Sequence, residues 1–280
     1  MNKSNSFKLV VGMLLFVVTA LRGAEIPIKT GDTIAFLGDS ITQLGNTHKP
    51  NGYIHLVIEG LKEAGIQATP IPAGIGGNTT RDMLTRLEKD IISKKPTWMT
   101  INSGINDCGR KITTEEFGRN LKEIVERSMQ AGIKVILMTT TIGSGENLNS
   151  ESTLQGLQYC QEFKKLAKEK GLILVDLNTM MAQALVAIKE KDPTPGLKLT
   201  FDGTHLNGYG NQLIATEILK TLNVPEQTLA KLTTQWHTYP SAEGMAPVSI
   251  NTYLKLKAAA DKKGVTVDEF AAEKLTESER

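Results

Sequence analysis

A serine after a short apolar run is the first residue here with the makings of a nucleophile. Ser40 follows the run Thr33 to Gly38 after one intervening residue, so its hydroxyl lies at the C-terminal end of a predicted strand. Open α/β sheets bind their ligands at that edge. A serine hydroxyl is a weak nucleophile near neutral pH unless a base takes its proton. If Ser40 attacks an acyl carbon, the chain must also supply a base, an orienting acid and donors for an oxyanion.

Three later segments carry polar residues and glycines of the kinds that such a reaction needs. They are Gly76-Gly77-Asn78-Thr79, Gly104-Ile105-Asn106-Asp107 and Asp202-Gly203-Thr204-His205. Structural interpretations are also open for these residues. Ser40 can serve as a helix N-cap, Gly77 and Asn106 as turn residues, and Asp202 with His205 as a hydrogen-bonded pair on a loop.

The elements that must position these residues follow from the spacing of the apolar residues. Short apolar runs predict strands at 33–38, 66–71, 98–102, 135–140 and 172–175. Helical spacing and capping signals predict helices at 53–64, 81–92, 113–129, 153–170, 180–189 and 208–222. Residues 41–51 are predicted as a polar loop, and Pro70 favours a sheet edge for the second strand. Because strand and helix alternate five times, we predict an α/β fold with a mostly parallel five-stranded sheet between two helical layers.

The regular alternation weakens beyond Pro225. Residues 241–248 read as loop, and Thr266 with Glu269 forms a capping-box pattern that predicts a short helix. We therefore predict three parts: a signal peptide at 1–24, one catalytic domain at 25–225 and a helical C-terminal extension at 226–280.

Composition argues against some classes of partner. The 280 residues include 32 basic and 30 acidic side chains spread along the chain, so the net charge of +2 produces no field that would recruit nucleic acid. The two cysteines, Cys108 and Cys160, show no metal-ligand spacing and are too few for a disulfide framework. The sequence leaves open whether they pair.

The N-terminus has the pattern of an export signal. Lys3 and Lys8 form a basic start, residues 9–18 are apolar, and Val18-Thr19-Ala20 is a small-residue cleavage pattern. Cleavage after Ala20 is the first choice and after Ala24 the second. The apolar run is short for a membrane span, although a retained anchor is the alternative. We expect a secreted or periplasmic protein with no stable membrane insertion after cleavage.

These residues resemble the SGNH (GDSL-type) hydrolases over about residues 31–222. The resemblance rests on four blocks: Gly38-Asp39-Ser40-Ile41-Thr42, Gly76-Gly77-Asn78-Thr79, Gly104-Ile105-Asn106-Asp107 and Asp202-Gly203-Thr204-His205. Each block alone is weak, but four in the right order beside predicted strands and helices make a specific signal. The nucleophile elbow of ordinary α/β-hydrolases is absent around Ser40. The resemblance implies a flavodoxin-like three-layer domain without a metal or organic cofactor.

The resemblance also assigns roles to individual residues. It implies a triad in which Ser40 attacks, His205 acts as base and then acid, and Asp202 orients the imidazole. It implies an oxyanion hole formed by the backbone N–H groups of Ser40 and Gly77 and the side-chain amide of Asn106. Asp39 and Asp107 are interpreted as structural. Thr42 and Asn78 are weaker candidates for lining the site, and Leu44 and the 143–150 loop for lining a small acyl pocket.

The expected activity is that of an exported serine esterase acting on short acyl esters, with acetyl groups on carbohydrates as the first choice. That choice of substrate follows from the resemblance alone. Two alternatives stay open: a lysophospholipase or thioesterase that cleaves lipid acyl groups, and a non-catalytic glycan-binding module on the same fold. The sequence does not indicate an oligomeric state.

Overall fold

The computed structural model describes residues 25–239 and 250–265, together with residues 267, 270 and 274. The predicted signal peptide at 1–24 and the predicted loop at 241–248 lie outside the described residues. The predicted capping box of Thr266 and Glu269 lies outside them as well. No helix in the described part of the chain is both long and apolar enough to span a bilayer.

Five parallel strands form one sheet, and the predicted α/β fold is confirmed. The strands are β1 (Thr33–Gly38), β2 (Thr69–Gly74), β3 (Trp98–Asn102), β4 (Lys134–Met138) and β5 (Ile173–Val175). Their order is β2-β1-β3-β4-β5, with every neighbouring pair parallel. This is the doubly wound, flavodoxin-like order, in which ligands bind at the C-terminal ends of β1 and β3, where the strand order reverses.

Ten α-helices connect and flank these strands in the described ranges. They are α1 (Ser40–Thr47), α2 (Tyr53–Glu63), α3 (Thr80–Asp90), α4 (Ile105–Gly109), α5 (Thr114–Gln130), α6 (Glu151–Lys170), α7 (Leu177–Lys191), α8 (Gly208–Thr221), α9 (Glu226–Trp236) and α10 (Ile250–Lys263). The last two place helices in the predicted C-terminal extension.

Three elements differ from the sequence prediction, and one of them is the short helix α4, which no pattern predicted. Residues 40–47, predicted as part of a polar loop, form helix α1, whose buried residues are Ile41, Thr42 and Gly45. Only one of these three is a large apolar residue, so a search for apolar periodicity misses the helix. The second strand begins at Thr69 instead of residue 66, because the N–H groups of residues 65 and 66 still bind carbonyl groups at the end of α2.

The second strand lies at the sheet edge, as Pro70 indicated. Pro70 and Pro72 pair in register with Ile34 and Phe36 of β1. Proline has no N–H to donate and is tolerated at an edge, where alternate N–H groups face away from the sheet. The edge position explains how a strand with two prolines forms in this sheet.

Each face of the sheet carries its own apolar cluster. Phe36 and Leu37 are successive residues of β1 and enter opposite clusters, as the alternation of a strand requires. On one face, α2, α7 and α8 pack against the sheet; on the other, α3, α5 and α6 do. Trp236 of α9 is fully buried in the first cluster, and its Nε1 donates to Glu59 Oε2 at 2.9 Å. The sheet therefore has two covered faces, and its C-terminal edge is left for a site.

Candidate active site

Ser40 is the first residue of α1, immediately beyond the C-terminal end of β1. Asp39 caps the helix, since its Oδ1 accepts the N–H of Ile41 at 2.9 Å. The N–H of Ser40 is among the first-turn donors that have no partner inside a helix. Gly38 allows the tight turn, because a Cβ there would lie 2.0 Å from Thr42 Oγ1. The local geometry therefore exposes both the hydroxyl and the backbone N–H of Ser40 at the sheet edge.

His205 and Asp202 meet Ser40 from a segment 165 positions later in the chain. His205 Nε2 lies 2.8 Å from Ser40 Oγ, and His205 Nδ1 lies 2.6 Å from Asp202 Oδ2. With the proton on Nδ1, the ring donates to the carboxylate and Nε2 is free to accept the serine proton. The structure thus brings the three residues into one hydrogen-bonded chain with the order needed to activate a hydroxyl.

Asp202 is held as a carboxylate by its own turn. Its Oδ1 accepts the backbone N–H groups of Thr204 at 2.9 Å and His205 at 2.7 Å. Burial raises the pKa of Asp202, but the hydrogen bonds from the His205 ring and from these two N–H groups outweigh it and leave the pKa below its usual value. The acid is therefore ionised at neutral pH and can stabilise a protonated imidazole.

The loop after β2 lies beside Ser40. A Cβ built on Gly76 would be 3.8 Å from the Cβ of Ser40, and the N–H of Gly76 donates to Gln43 Oε1 of α1 at 2.9 Å. Gly77 has a φ of +76°, a conformation that favours glycine. In the described part of the chain, the N–H groups of Ser40 and Gly77 have no hydrogen-bond acceptor. Both are available to a ligand.

Asn106 joins this loop from the start of α4. Its Nδ2 donates one hydrogen bond to the carbonyl of Asn78 at 3.1 Å, and an amide nitrogen has a second hydrogen to offer. Arg86 fixes the same corner: its Nε donates to Asn78 Oδ1 at 2.7 Å and its Nη2 to the carbonyl of Gly38 at 2.9 Å. The second and third blocks therefore meet in a direct hydrogen bond, and Arg86 ties the second block to the first.

Two buried carboxyl groups lie behind the site, each next to a candidate functional residue. Burial, opposed by the hydrogen bond from the Ile41 N–H and helped by the nearby Asp107, raises the pKa of Asp39 to about 7. Burial also raises the pKa of Asp107, whose Oδ1 accepts the N–H of Thr80 at 3.0 Å and its hydroxyl at 2.6 Å. These contacts fit the structural interpretation of both residues.

A cavity of about 230 Å³ adjoins the site. Its lining includes Ile105 and Thr204, each next to a candidate site residue, together with Thr140, Gly143 and Ser144. The 143–150 loop therefore contributes to the pocket as predicted. The three other weak candidates, Thr42, Asn78 and Leu44, do not line this cavity. Thr42 is buried and accepts a hydrogen bond from the Tyr53 hydroxyl at 3.0 Å.

An exposed aromatic ring flanks the imidazole. Phe201 is 42% exposed and stacks on the ring of His205 with a centroid distance of 5.8 Å.

Cys108 and Cys160 are both free thiols. No group of three or more His, Cys, Asp or Glu residues in the described ranges is arranged to hold a metal ion.

Sequence reasoning missed several residues that hold the site together. Gln43, Arg86 and Glu146 each bind backbone groups of a site loop. Gln43 lies one helical turn after Ser40, but the helix itself was not predicted. Glu146 stands alone in a loop rich in Gly, Ser and Asn, and nothing in that pattern distinguishes it from a solvated side chain.

Comparison with known proteins gives consistent matches. The model of the GDSL-like lipase/acylhydrolase family matches residues 36–213. An acetylxylan esterase from Geobacillus stearothermophilus is 27% identical over 218 residues, which are 70% of this chain and 95% of that protein. The uncharacterized lipoprotein YqeF of Bacillus subtilis (strain 168) is 32% identical over 140 residues, which are 47% of this chain and 55% of that protein.

One solved structure extends the comparison to three dimensions. The crystal structure of Axe2, an acetylxylan esterase from Geobacillus stearothermophilus, has a TM-score of 0.62 and 26% identity, covering 71% of this chain and 97% of that one. In solved variants of Axe2 that are described as catalytic mutants, a serine, an aspartate or a histidine is replaced by alanine. The aspartate and histidine lie three positions apart in that protein.

Proposed function

The chain belongs to the GDSL-like lipase/acylhydrolase family and is a carboxylic ester hydrolase, and we propose that it removes acetyl groups from carbohydrates with a Ser40–His205–Asp202 triad. The observation that carries the proposal is the hydrogen-bonded chain from Ser40 Oγ through the imidazole to Asp202. The three-residue spacing of aspartate and histidine in Axe2 supports the same assignment.

In the proposed reaction, His205 Nε2 takes the proton of Ser40 as Oγ attacks the ester carbonyl carbon. The negative oxygen of the tetrahedral intermediate then accepts hydrogen bonds from the N–H groups of Ser40 and Gly77 and from Asn106 Nδ2. The imidazolium returns its proton to the sugar oxygen, and the sugar leaves. Water, activated by the same imidazole, attacks the acetyl-enzyme and releases acetate and free Ser40.

The unpaired donors support this oxyanion hole. Within the described residues, the N–H groups of Ser40 and Gly77 have no acceptor, and Asn106 has a second amide hydrogen besides the one that binds Asn78. Removing one such donor typically costs about 2.7 to 4 kcal/mol of transition-state stabilisation. The amide of Asn106 is neutral, so it does not compete electrostatically with the imidazolium.

Carbohydrate as the alcohol part is supported by the match to acetylxylan esterases and by the exposed ring of Phe201 beside His205. Polysaccharides are met outside the cytoplasm, which agrees with the predicted signal at 1–24 and with a match to a named lipoprotein. We further propose that residues 25–225 form the catalytic domain and 226–280 an extension.

The proposal is tested with the mature protein on acetylated xylan, acetylated pectin and 4-nitrophenyl acetate. Release of acetate is expected from the wild type and is expected to disappear in Ser40→Ala. Ser93→Ala is the matched control, because Ser93 is exposed and its hydroxyl only donates to the carbonyl of Lys89. Turnover by Ser40→Ala equal to that of the control would remove the assignment of the nucleophile.

The cavity supports a second candidate within the same reaction class. A volume of about 230 Å³ exceeds what an acetyl group requires, and its walls include Ile105 and Gly156. A longer acyl chain, as in a lysophospholipid or a thioester, is the alternative occupant. Profiling esters and thioesters from two to twelve carbons discriminates, since a rise in kcat/KM with chain length favours the lipid activity. A glycan-binding module would instead leave Ser40 unlabelled by a fluorophosphonate.

A further inference from the structure

We propose that Glu146 is a positioning residue that holds the segment carrying Asp202 and His205 in register with Ser40. The inference rests on the proposed function and deepens it. Glu146 lies in the loop between β4 and α6 and is 2% exposed. It is not part of the hydrogen-bonded chain of Ser40, His205 and Asp202, so its role must act through the segment that it holds.

The carboxylate of Glu146 binds three consecutive residues of that segment. Its Oε2 accepts the N–H of Lys198 at 2.8 Å. Its Oε1 accepts the N–H of Leu199 at 2.7 Å, and the N–H and the hydroxyl of Thr200 at 2.8 Å each. Hydrogen bonds to an ionised acceptor are about twice as strong as neutral ones. One buried side chain therefore accepts three consecutive backbone N–H groups, which in a helix or strand would be paired with backbone carbonyl groups.

Besides Glu146, the segment from residue 192 to 207 is held by the burial of Leu199 and Leu206 in the first apolar cluster and by contacts within itself. Its one bridge pairs Thr200 with Leu206, and its backbone closes through Phe201 N to His205 O and Asn207 N to Leu199 O, both at 3.0 Å. Asp202 and His205 lie at the tip of this closed loop, and Glu146 binds the residues at its foot, 198–200. A shift of these residues would carry both Asp202 and His205 away from Ser40.

A second contact reaches the tip itself. Gly145 donates its N–H to the carbonyl of Gly203 at 3.0 Å, and a Cβ on Gly203 would lie 2.8 Å from Gly145 Cα. Glu146 has a φ of +59°, which is uncommon for a residue with a side chain. Residues held in such a conformation persist when their surroundings over-determine them, and they cluster at functional sites. Two adjacent residues thus hold the base and the tip of one loop.

The effect on catalysis follows from the tolerance of proton transfer to distance. Misplacing a reacting group by about 1 Å can cost about 10²-fold in rate. Ser40 lies on α1 and does not contact Glu146. Loss of the Glu146 contacts therefore moves His205 and leaves the nucleophile and the oxyanion donors in place. We therefore expect the defect in kcat, with substrate binding largely retained.

The test compares Glu146→Gln with the wild type. A glutamine keeps the size but places an NH₂ group against a backbone N–H, so at least one of the four bonds is replaced by a donor facing a donor. We expect kcat to fall by about 10- to 100-fold with KM within about threefold. Leu121→Ala is the control, because it opens a cavity in the apolar cluster on the opposite face. All assays are run well below the unfolding midpoint of the weaker variant.

A readout that needs no substrate separates this inference from the proposed function. The Nδ1 proton of His205, shared with Asp202, gives a downfield NMR signal when the pair is held rigidly. We expect Glu146→Gln to broaden or shift this signal and Leu121→Ala to leave it unchanged. An inactive wild type would refute the proposed function, whereas an unchanged signal and wild-type kcat in Glu146→Gln would overturn the inference.

A milder variant protects the test against misfolding of Glu146→Gln. Thr200→Val removes one donor to Glu146 Oε1 and keeps the backbone contacts, and Thr200→Ser restores that donor. We expect kcat to fall by about three- to tenfold in Thr200→Val and to recover in Thr200→Ser. Equal kcat for the two variants, or a loss in Thr200→Val that Leu121→Ala reproduces, would contradict the clamp.

Discussion

Ser40 and His205 meet across a 2.8 Å hydrogen bond, but the chain holds them by different means. The nucleophile half of the site consists of Ser40, the loop at 74–78 and Asn106, and each part directly follows a strand of the sheet. The acid–base half is the segment 192–207, which has no strand or helix of its own. One half is placed by secondary structure, and the other by side chains that bind its backbone.

The two halves use buried charge differently as a result. In the nucleophile half, Asp39 caps α1 and Asp107 accepts the N–H and the hydroxyl of Thr80 in α3, and burial raises the pKa of both. In the acid–base half, Asp202 has a lowered pKa, and Glu146 accepts three hydrogen bonds from a backbone that has no sheet to pair with and a fourth from the hydroxyl of Thr200. A buried loop needs side-chain acceptors of this kind because its backbone N–H groups must be hydrogen-bonded. The difference predicts that substitutions in the two halves will fail in different observables.

The largest effect is expected from Asp202→Asn in the acid–base half. The asparagine can keep the turn by accepting the N–H groups of Thr204 and His205. It lacks the charge that stabilises the imidazolium, and its amide favours the other tautomer of the His205 ring. The analogous change in a serine protease lowers kcat by about 10⁴-fold, and we expect a loss of that order with little change in stability. Steady-state kinetics and thermal unfolding measure the two quantities. A variant that keeps a tenth of wild-type kcat would show that Asp202 is not the orienting acid.

The next effect concerns stability and its dependence on pH, in the nucleophile half. The pKa of Asp39 is about 7 in the folded protein against 3.8 ordinarily. Between these values the unfolded chain releases a proton that the folded chain keeps, so stability falls as the pH rises through this window. A shift of this size corresponds to about 4 kcal/mol. Asp39→Asn keeps an N-cap acceptor and has no charge to bury.

The measurement is the free energy of urea unfolding of Asp39→Asn and of the wild type at pH 5 and pH 8. We expect the variant to gain stability relative to the wild type as the pH rises from 5 to 8, by up to about 2.7 kcal/mol, because only the part of the window between pH 5 and about 7 is sampled. Asp107 has a raised pKa as well, so the wild type keeps part of its slope in the variant. Identical slopes for both proteins would mean that Asp39 is ionised in the fold at neutral pH.

The same contrast explains what could be predicted from the sequence. Strands such as Trp98–Asn102 are short, mainly apolar runs that local pattern determines, so the five strands and the ends of β1 and β3 were within reach, whereas the flavodoxin-like arrangement followed from the family resemblance. The predicted triad and oxyanion residues follow short motifs at those ends. The structure brings Ser40, His205 and Asp202 together, while their catalytic roles stay predictions.

What the sequence did not predict depends on contacts distant in the chain. Helix α1 is stabilised by packing on β2 and not by apolar periodicity, so residues 41–51 looked like loop. Glu146 lies more than fifty positions before the residues that it binds, and no spacing rule joins them. Side-chain to backbone contacts of this kind leave no period in a sequence, which is why the support of the acid–base half was missed.

A third prediction tests the packing that places the nucleophile. Gly74 ends β2, and a Cβ there would lie 2.3 Å from the backbone N of Gln43 and 2.6 Å from the carbonyl carbon of Thr42. Backbone atoms of a helix cannot move aside as a flexible side chain can. We expect Gly74→Ala to cost about 1 to 3 kcal/mol of stability and to lower kcat, because α1 must shift and carry Ser40 with it. Urea unfolding and kinetics on one preparation measure both.

The control for that substitution is Gly118→Ala in α5. The three atoms nearest to a Cβ at this position all belong to the side chain of Glu162, which can rotate away. Alanine also has the higher helix propensity, by about 1 kcal/mol, so the control should be neutral or slightly stabilising. If Gly74→Ala behaves like Gly118→Ala, then the close approach of β2 and α1 does not fix the position of Ser40.

The smallest effect is expected at the outer side of the acid–base half, where α10 touches it. Lys198 is 4% exposed on its side chain and pairs with Asp192 at 2.7 Å and with Asp261 of α10 at 3.7 Å. Asp261→Asn leaves the lysine its shorter partner, so we expect a loss of about 1 kcal/mol in stability and a two- to threefold decrease in kcat/KM. Glu123→Gln, which removes an exposed pair with Arg127, is the control and should change neither. A kcat/KM equal to that of the control would show that α10 packs against the segment without helping to position His205, and the asymmetry between the halves would then rest on Glu146 alone.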